Sequence, residues 1–363
     1  MNLFDKVSSK ENIFKQEEAL MPDFLPIDIL HREKEINEIV MTINVLINGR
    51  KGENLFLIGP PGTGKTCSCK YILNELEEHT QKILPIYINC WENSSRFVIL
   101  GIIAKYLEMM IPRRGISIDE VNERIEEGFE KSNYKGIVIV LDEIDRLFIS
   151  KTNDDEVLYD LSRAKENLGV NISIIAISNN QEILLKLDNR IKSSLMPRTL
   201  EFKPYDPIAL KDILKQRAKI AFFPNVLDEE VIPLCAAIGL NHNGDARISI
   251  NALWKAAKDA EKNRQQKVSI ENIQNIKLSL KTEEELKKEL GKKIDYSIFN
   301  KQEIKILKIL EKNREIETSV LYKKLKLNEN EKRNIRNILD KLEKISIIKI
   351  EIENNKRKIL LKL

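Results

Sequence analysis

The run that most constrains how this chain can fold is Gly59-Pro60-Pro61-Gly62-Thr63-Gly64-Lys65-Thr66, which directly follows the apolar residues 55–58. It matches the Walker A pattern, in which backbone N–H groups of a glycine-rich loop curl around phosphate groups. Lys65 would reach the outer phosphates, Thr66 would offer its hydroxyl to Mg²⁺, and Cys67 is the last residue of the predicted site. The motif requires a strand before residue 59 and a helix from residue 64.

Apolar runs alternate with helical patterns over the first 205 residues. Strands are predicted at 54–58, 83–89, 137–141 and 172–178, and helices at 33–48, from 64, and near 94–110 and 154–167. Uninterrupted apolar strands separated by helices are typical of a parallel sheet that is covered on both faces. The pattern therefore predicts a doubly wound α/β domain that ends near Tyr205.

Polar residues follow two of these strands at the edge where open α/β sheets bind ligands. Asp142 and Glu143 come directly after the apolar run 137–141. Asp142 would hold Mg²⁺ through water and Glu143 would polarise an attacking water, although acidic pairs after a strand also cap helices. Ser178-Asn179-Asn180 ends the strand at 172–177, and a polar side chain there can hydrogen-bond the γ-phosphate or the attacking water, or simply form a turn.

Beyond residue 205 the character of the chain changes twice. Amphipathic helices at 206–221, 228–240, 244–263 and 269–280 predict a small helical lid, and the polar stretch 282–295 predicts a linker helix. Helical patterns at 301–312, 318–326 and 329–344 then precede period-two alternation at 348–352 and a turn at 354–355. Three helices followed by a β-hairpin predict a winged helix.

The C-terminal segment is basic, which indicates a polyanionic partner. Residues 299–363 hold 18 Lys and Arg against 10 Asp and Glu, whereas the whole chain has a net charge of +4. In the 329–344 helix, Arg333 and Asn337 lie opposite the apolar face with Arg336 beside them, and such side chains pair with guanine and adenine edges. Lys356 and Lys358 in the hairpin would contact phosphates. Two alternatives stay open, a solvated lysine-rich surface and a winged helix that contacts protein.

Other site classes find no support in the sequence. The four cysteines, Cys67, Cys69, Cys90 and Cys235, lack the paired spacing of a metal site. No apolar run approaches 18 residues, so we expect an intracellular protein without a membrane span.

Several runs occur in an order and at spacings that resemble one family. They are LDEIDRL (141–147), DEVLYDLSRAKE (155–166), AISNN (176–180), LDNRIKSSL (187–195), FKPYD (202–206) and GDAR (244–247). From about residue 26 to its end, the chain resembles the archaeal replication initiators related to the eukaryotic origin recognition complex and its cell-division-cycle helicase loader. The resemblance implies an α/β P-loop AAA+ domain, an α-helical lid domain and a C-terminal winged-helix domain. With the patterns above, the bounds are 1–25 for an N-terminal arm, 26–205 for the ATPase domain, 206–281 for the lid, 282–297 for the linker and 298–363 for the winged helix.

The resemblance also implies roles for residues outside the Walker motifs. Asn179 would be the sensor beside the γ-phosphate, and Arg247 would be the lid arginine that detects it, so that both join Glu143 in catalysis. Tyr205, Arg217 and Arg32 match positions that line the nucleotide, with Arg32 near the adenine.

As a function, the resemblance implies an ATPase that binds double-stranded origin DNA and helps to place the replicative helicase, with slow hydrolysis acting as a switch. ATP or ADP and Mg²⁺ would be its cofactors. A helicase or a paralogous initiator would be its protein partner, in the cytoplasm at the nucleoid. Two other functions stay open, a nucleotide-bound DNA-binding regulator or plasmid replication protein with negligible turnover, and a signalling or transposition ATPase.

The sequence departs from the family pattern at two places. Ser194-Leu195 stand where the eukaryotic pattern has Ser-Arg, so the arginine that acts across subunits is not assigned, and Arg190 and Arg198 are the nearby substitutes. The predicted wing, 353–358, is short and lacks a longer Gly/Arg-rich tip.

Overall fold

The computed structural model describes residues 13–112, 115–149, 154–277, 306–307, 309–310, 315–325, 332, 335, 338–339, 348–353 and 356–361. The chain divides into two compact units, Met1–Ile276 and Lys277–Leu363, and each is described by itself.

The first unit is built on a parallel sheet of five strands in the order β2-β3-β4-β1-β5. The strands are β1 (Leu55–Ile58), β2 (Ile83–Asn89), β3 (Gly136–Asp142), β4 (Ile172–Ser178) and β5 (Arg198–Glu201). The helices of this α/β part are α1 (Glu33–Ile47), α2 (Lys65–His79), α3 (Arg96–Tyr106), α4 (Ile118–Lys131), α5 (Glu156–Ser162), α6 (Ala164–Leu168), α7 (Ile183–Lys186) and α8 (Asn189–Leu195). The predicted doubly wound fold is confirmed.

Helices cover both faces of the sheet because alternate residues of each strand point to opposite sides. On β3, Val138 and Val140 join a core with α1 and α2, whereas Ile139 and Leu141 join a second core with α3, α4 and α5. Every residue of β3 and β4 is buried, which is why these strands read as continuous apolar runs.

Four elements of the first unit, α4, α7, α8 and β5, were not predicted from the sequence. The residues of β5 are mostly exposed, because this strand closes one edge of the sheet, and it therefore lacks an apolar run. Helix α4 buries only Val121, Ile125 and Gly128, and its start is fixed by the Ser117 side chain, which accepts a hydrogen bond from the Glu120 N–H at 3.1 Å. The helix predicted near 154–167 is broken at Arg163 into α5 and α6.

The lid consists of α9 (Pro207–Ala221), α10 (Val231–Asn241), α11 (Ala246–Lys262) and α12 (Ile270–Lys277), close to the predicted helices. Residues 13–20, which belong to the predicted N-terminal arm, pack against it. The Phe14 ring stacks on Phe222, with 5.3 Å between centroids, and Glu17 accepts a hydrogen bond from the Trp254 indole N–H at 2.7 Å.

In the second unit, β6 (Glu315–Glu317), β7 (Ile348–Glu353) and β8 (Lys356–Leu361) form an antiparallel sheet in the order β6-β8-β7, and α13 (Thr318–Leu325) follows β6. Ile335, Ile338 and Leu339 are buried in its core, as the predicted apolar face of the 329–344 helix requires. The winged-helix assignment itself stays a prediction. Arg333, Arg336 and Asn337 lie outside the described residues.

Candidate nucleotide-binding site

The phosphate loop runs from the end of β1 to the start of α2, as the motif predicts. Gly62 and Gly64 have φ of +74° and +91°, and both are approached so closely that a Cβ would clash. A Cβ on Gly62 would meet Asp245 of the lid, and one on Gly64 would meet the Tyr205 hydroxyl. The glycines therefore allow both the curled backbone and the close approach of the residues that surround it.

Lys65 lies inside this loop. Its Nζ donates to the carbonyl oxygens of Gly59 at 2.7 Å and Pro60 at 2.8 Å. Burial lowers the pKa of the Lys65 ammonium to about 8, although the charge of Asp142 opposes this shift. The ammonium is thus held at the N-terminus of α2, where a phosphate would replace the two carbonyls as its partner.

Asp142, at the end of β3, meets Thr66, at the start of α2. The Thr66 hydroxyl donates to Asp142 Oδ2 at 2.7 Å, and the Glu143 N–H donates to Asp142 Oδ1 at 2.9 Å. A carboxylate and a hydroxyl side by side are hard oxygen donors, and Mg²⁺ in nucleotide sites takes one or two carboxylates together with substrate phosphates. These two residues therefore fit the predicted ion. Among the residues described, no cluster of three or more His, Cys, Asp or Glu could hold a metal by itself.

A third group on Asp142 was missed by the sequence analysis. The Tyr87 hydroxyl on β2 donates to Asp142 Oδ2 at 2.7 Å. Burial raises the pKa of Tyr87, and its hydrogen bond to Asp142 adds to the rise. The only local signal was a tyrosine inside an apolar strand, which does not reveal its partner.

Glu143 follows in the left-handed conformation, with φ of 55°. Burial raises the pKa of its carboxyl, the neighbouring Asp142 charge adds to the rise, and Arg247 opposes it. Left-handed backbone is uncommon outside glycine and asparagine, and such positions concentrate at functional sites. A carboxyl with a raised pKa at the ligand edge of the sheet suits a general base.

Asn179 lies at the tip of β4, where the sequence places it. Its N–H donates to Asp145 Oδ2 at 3.3 Å, and the Ser178 hydroxyl donates to the same oxygen at 2.8 Å. Asp145 thereby joins the turn after β3 to the tip of β4, a role that the sequence analysis did not assign. The spacing Asp142-Glu143-Ile144-Asp145 was visible in the sequence, but the contact across strands was not.

Arg32 and Tyr205 stack beside the loop. The Arg32 guanidinium carbon lies 4.0 Å from the Tyr205 ring centroid, and Arg32 Nε donates to the Thr63 carbonyl at 2.9 Å. Both side chains are buried, so the pair fixes one wall of the phosphate loop.

Arg217 on α9 is held by the N-terminal segment. Its two terminal nitrogens donate to the carbonyl oxygens of Ala19 and Phe24, each at 3.1 Å, and it lies over the Phe24 ring at 4.8 Å. Cys67 lies within electrostatic range of Arg217, at the far end of the loop. In the described part of the chain, Arg217 Nε is buried and has no hydrogen-bond partner.

The lid reaches the loop at the start of α11. The Ala246 N–H donates to the Gly62 carbonyl at 3.2 Å, and Asp245 accepts from the Arg247 N–H at 2.8 Å as the helix cap. The Arg247 side chain is 60% exposed and lies 3.4 Å from Asp245. Its positive charge acts to lower the pKa of both the Lys65 ammonium and the Glu143 carboxyl, so the guanidinium lies within electrostatic range of both groups.

The two arginines near the unassigned subunit-bridging position differ. Arg198 is paired with Glu38 at 2.9 Å and Glu53 at 3.0 Å at the amino end of β5, away from the ligand edge. The Arg190 side chain is 85% exposed and is paired only with Asp188 on its own turn, within the described residues.

Comparisons with known proteins agree with this arrangement. Residues 55–203 match the family described as ATPase family associated with various cellular activities, and residues 211–277 match the Cdc6 AAA+ ATPase-type lid domain. The chain is 33% identical to the ORC1-type DNA replication protein 1 of Sulfurisphaera tokodaii, covering 96% of this chain and 89% of the relative. It is 35% identical to the protein of the same name from Archaeoglobus fulgidus, covering 78% and 69%.

Among solved structures, the Aeropyrum pernix ORC1 protein in complex with DNA has a TM-score of 0.69 and 28% identity, covering 98% of this chain and 95% of that one. The Cdc6p of Pyrobaculum aerophilum, at 22% identity and a TM-score of 0.67 over 96% and 94% of the two chains, shares the fold. No helix among the described residues is long and apolar enough to cross a membrane.

Proposed function

The chain belongs to the ORC1-type DNA replication proteins and is an ATPase, and from this premise we propose that it is an ATP-dependent initiator that binds origin DNA. The observation that carries the proposal is that lid and phosphate loop meet at one site, where the Ala246 N–H donates to the Gly62 carbonyl and Arg247 lies within electrostatic range of Lys65 and Glu143. The bound nucleotide can therefore set the position of the lid. Hydrolysis acts as a slow switch rather than as a motor.

In the proposed cycle each side chain has one task. Lys65 exchanges its two loop carbonyls for the outer phosphates, and Asp142 and Thr66 would hold Mg²⁺, which would neutralise charge on the phosphates. Glu143 takes the proton from the attacking water, and Asn179 contacts the γ-phosphate or that water. Arg32, Tyr205 and Arg217 line the nucleotide, with Arg32 near the adenine.

The position of Arg247 predicts how the site distinguishes ATP from ADP. In Arg247→Ala, the affinity for ADP is expected to stay within about twofold of wild type while the affinity for ATP falls about tenfold, since one exposed charge–phosphate contact contributes roughly 1–2 kcal/mol. Titration with fluorescent ATP and ADP analogues measures both affinities.

Arg264→Ala is the matched control, because this exposed arginine lies just beyond the other end of α11. If Arg247→Ala lowers both affinities equally, Arg247 stabilises the lid and does not detect the γ-phosphate.

DNA binding is proposed for the segment 298–363, a winged helix whose 329–344 helix enters the major groove. The basic charge of this segment and the buried face of Ile335, Ile338 and Leu339 support it. A relative of the same family has been solved with DNA. The family resemblance extends the proposal to a replicative helicase or a paralogous initiator as protein partner, at the nucleoid in the cytoplasm.

Arg333 is expected to read bases and Lys356 to contact phosphates. Arg333→Ala should cost about 1–3 kcal/mol on the preferred site and little on random duplex. Lys356→Ala should weaken both alike and reduce the salt slope by about one unit. Salt titrations of each variant on specific and random duplex measure these effects, and an unchanged specific-to-random ratio in Arg333→Ala would refute base reading by that residue.

Two experiments test the function as a whole. A footprint of the full chain on DNA of its own replicon, with ATP and with ADP, should protect a defined site near a replication start. Turnover measured with and without that DNA should show slow hydrolysis. An ATP turnover rate as low as that of a Lys65→Ala variant would favour a regulator that binds nucleotide without hydrolysing it. The absence of any protected site on the replicon would favour a protein-binding ATPase.

A further inference from the structure

Tyr87 lies on the strand beside the Walker B strand and on the same face. In the β2–β3 ladder its Cα is opposite Val140, two residues before Asp142, and β2 is an edge strand of the sheet. Side chains of residues 138, 140 and 142 share one face because the period of a strand is two residues. The phenol of Tyr87 therefore reaches diagonally along that face to Asp142.

The Tyr87 hydroxyl and the Thr66 hydroxyl both donate to Asp142 Oδ2, each at 2.7 Å, while the Glu143 N–H holds Oδ1 at 2.9 Å. Three donors thus hold the two carboxylate oxygens and restrict rotation of the carboxylate about the Cβ–Cγ bond. With Tyr87 removed, Oδ2 would be held by Thr66 alone, which is also a predicted ligand of the ion.

The ring of Tyr87 is itself fixed. It packs at the border of the core formed by α1, α2 and the sheet, and the ammonium of Lys70 lies 4.7 Å from its centroid. A hydroxyl on an immobilised ring is a donor of fixed direction. Partners of this kind orient metal ligands, and their loss costs about 10–100-fold in metal affinity.

We propose that Tyr87 is a positioning residue that orients the Asp142 carboxylate towards the divalent cation bound with ATP. The proposal rests on the proposed function, since it requires that Asp142 and Thr66 hold Mg²⁺ beside a nucleotide. In this role Tyr87 acts on the ion only through the direction in which Asp142 points.

The test is a MgCl₂ titration of Tyr87→Phe at a fixed concentration of a fluorescent ATP analogue. Phenylalanine keeps the ring and its packing and removes only the hydroxyl. The Mg²⁺ concentration at half-saturation is expected to rise about tenfold, whereas affinity for the analogue in excess EDTA stays at the wild-type value. Asp142→Asn is the reference variant. It removes the charge of the carboxylate itself and so shows how far the half-saturating Mg²⁺ concentration rises when Asp142 is weakened directly.

Tyr71→Phe is the matched control, because Tyr71 packs at the border of the same core and its charged neighbours are Glu75 and Asp28 rather than Asp142. Its Mg²⁺ titration should match wild type. A Tyr87→Phe curve that coincides with wild type would overturn the role of Tyr87, and so would an equal loss of affinity in EDTA, which indicates general damage. Binding by wild type that does not respond to Mg²⁺ would instead overturn the proposed metal site, and with it the role of Tyr87.

Discussion

Glu143→Gln is expected to bind ATP as tightly as wild type and to hydrolyse it about 10²–10⁴-fold more slowly, because the amide cannot take a proton from the attacking water. The side chain has the same shape, and the Glu143 N–H that holds Asp142 is unchanged. The variant should therefore remain in the ATP-bound state. Single-turnover hydrolysis measured together with equilibrium binding separates the two effects.

Glu77→Gln is the control, because this exposed carboxylate on α2 can lose its charge without changing the site. Equal hydrolysis by wild type and Glu143→Gln would contradict the assignment of Glu143 as the base. The pH dependence gives a further test. Burial raises the pKa of Glu143. As the solution is acidified, the hydrolysis rate of the wild type should therefore begin to fall at a higher pH than it would with a glutamate of ordinary pKa.

Lys65→Ala is expected to lose about 2–5 kcal/mol of ATP binding, or roughly 30- to 5,000-fold in affinity, because a buried charge that faces phosphate is removed. ADP, which keeps the β-phosphate, should be affected as well. In the free protein the same ammonium donates to the Gly59 and Pro60 carbonyls, so the melting temperature of the variant must be measured alongside binding. Lys82→Ala removes an exposed lysine before β2 and should bind as wild type.

The lowered pKa of Lys65 adds a pH dependence with a definite sign. Phosphate binds the protonated ammonium. Because burial lowers the pKa of Lys65 to about 8, the protonated fraction decreases above pH 8 in the free protein. Affinity for ATP should therefore be constant below about pH 8 and decrease above it, by at most tenfold per pH unit. An affinity that stays constant up to pH 9.5 would mean that Lys65 remains charged in the free site.

Much of the site could be predicted because each part of it is a short motif that can be recognised from neighbouring residues. The Walker A loop, Asp142 and Glu143 each follow an apolar strand, and that local arrangement places them at the same edge of a parallel sheet. The burial of Ile335, Ile338 and Leu339 was predictable for the same reason, since the period of these apolar residues can be counted along the chain. Arg247 was found only through the resemblance to a family.

Other features depend on which strands and helices become neighbours. Tyr87 reaches Asp142 only because β2 pairs with β3 in one register, and Asp145 reaches Ser178 only because β4 lies on the other side of β3. Shifting either register by a single residue would turn one partner to the opposite face. Strand β5, with its exposed residues, is likewise defined by its pairing with β1 rather than by its own composition.

The amino-acid sequence alone therefore determined the phosphate loop, the ligand edge of the sheet and the residue types that can bind ATP there. The tertiary structure decided which side chains orient those residues: Tyr87 on Asp142, Asp145 on the tip of β4, and the N-terminal segment on Arg217. The physical reason is the distance along the chain between the residues that interact. Period and motif act over a few neighbouring residues, whereas a hydrogen bond between residues 87 and 142, or 19 and 217, exists only after the packing of distant segments has brought its donor and acceptor together.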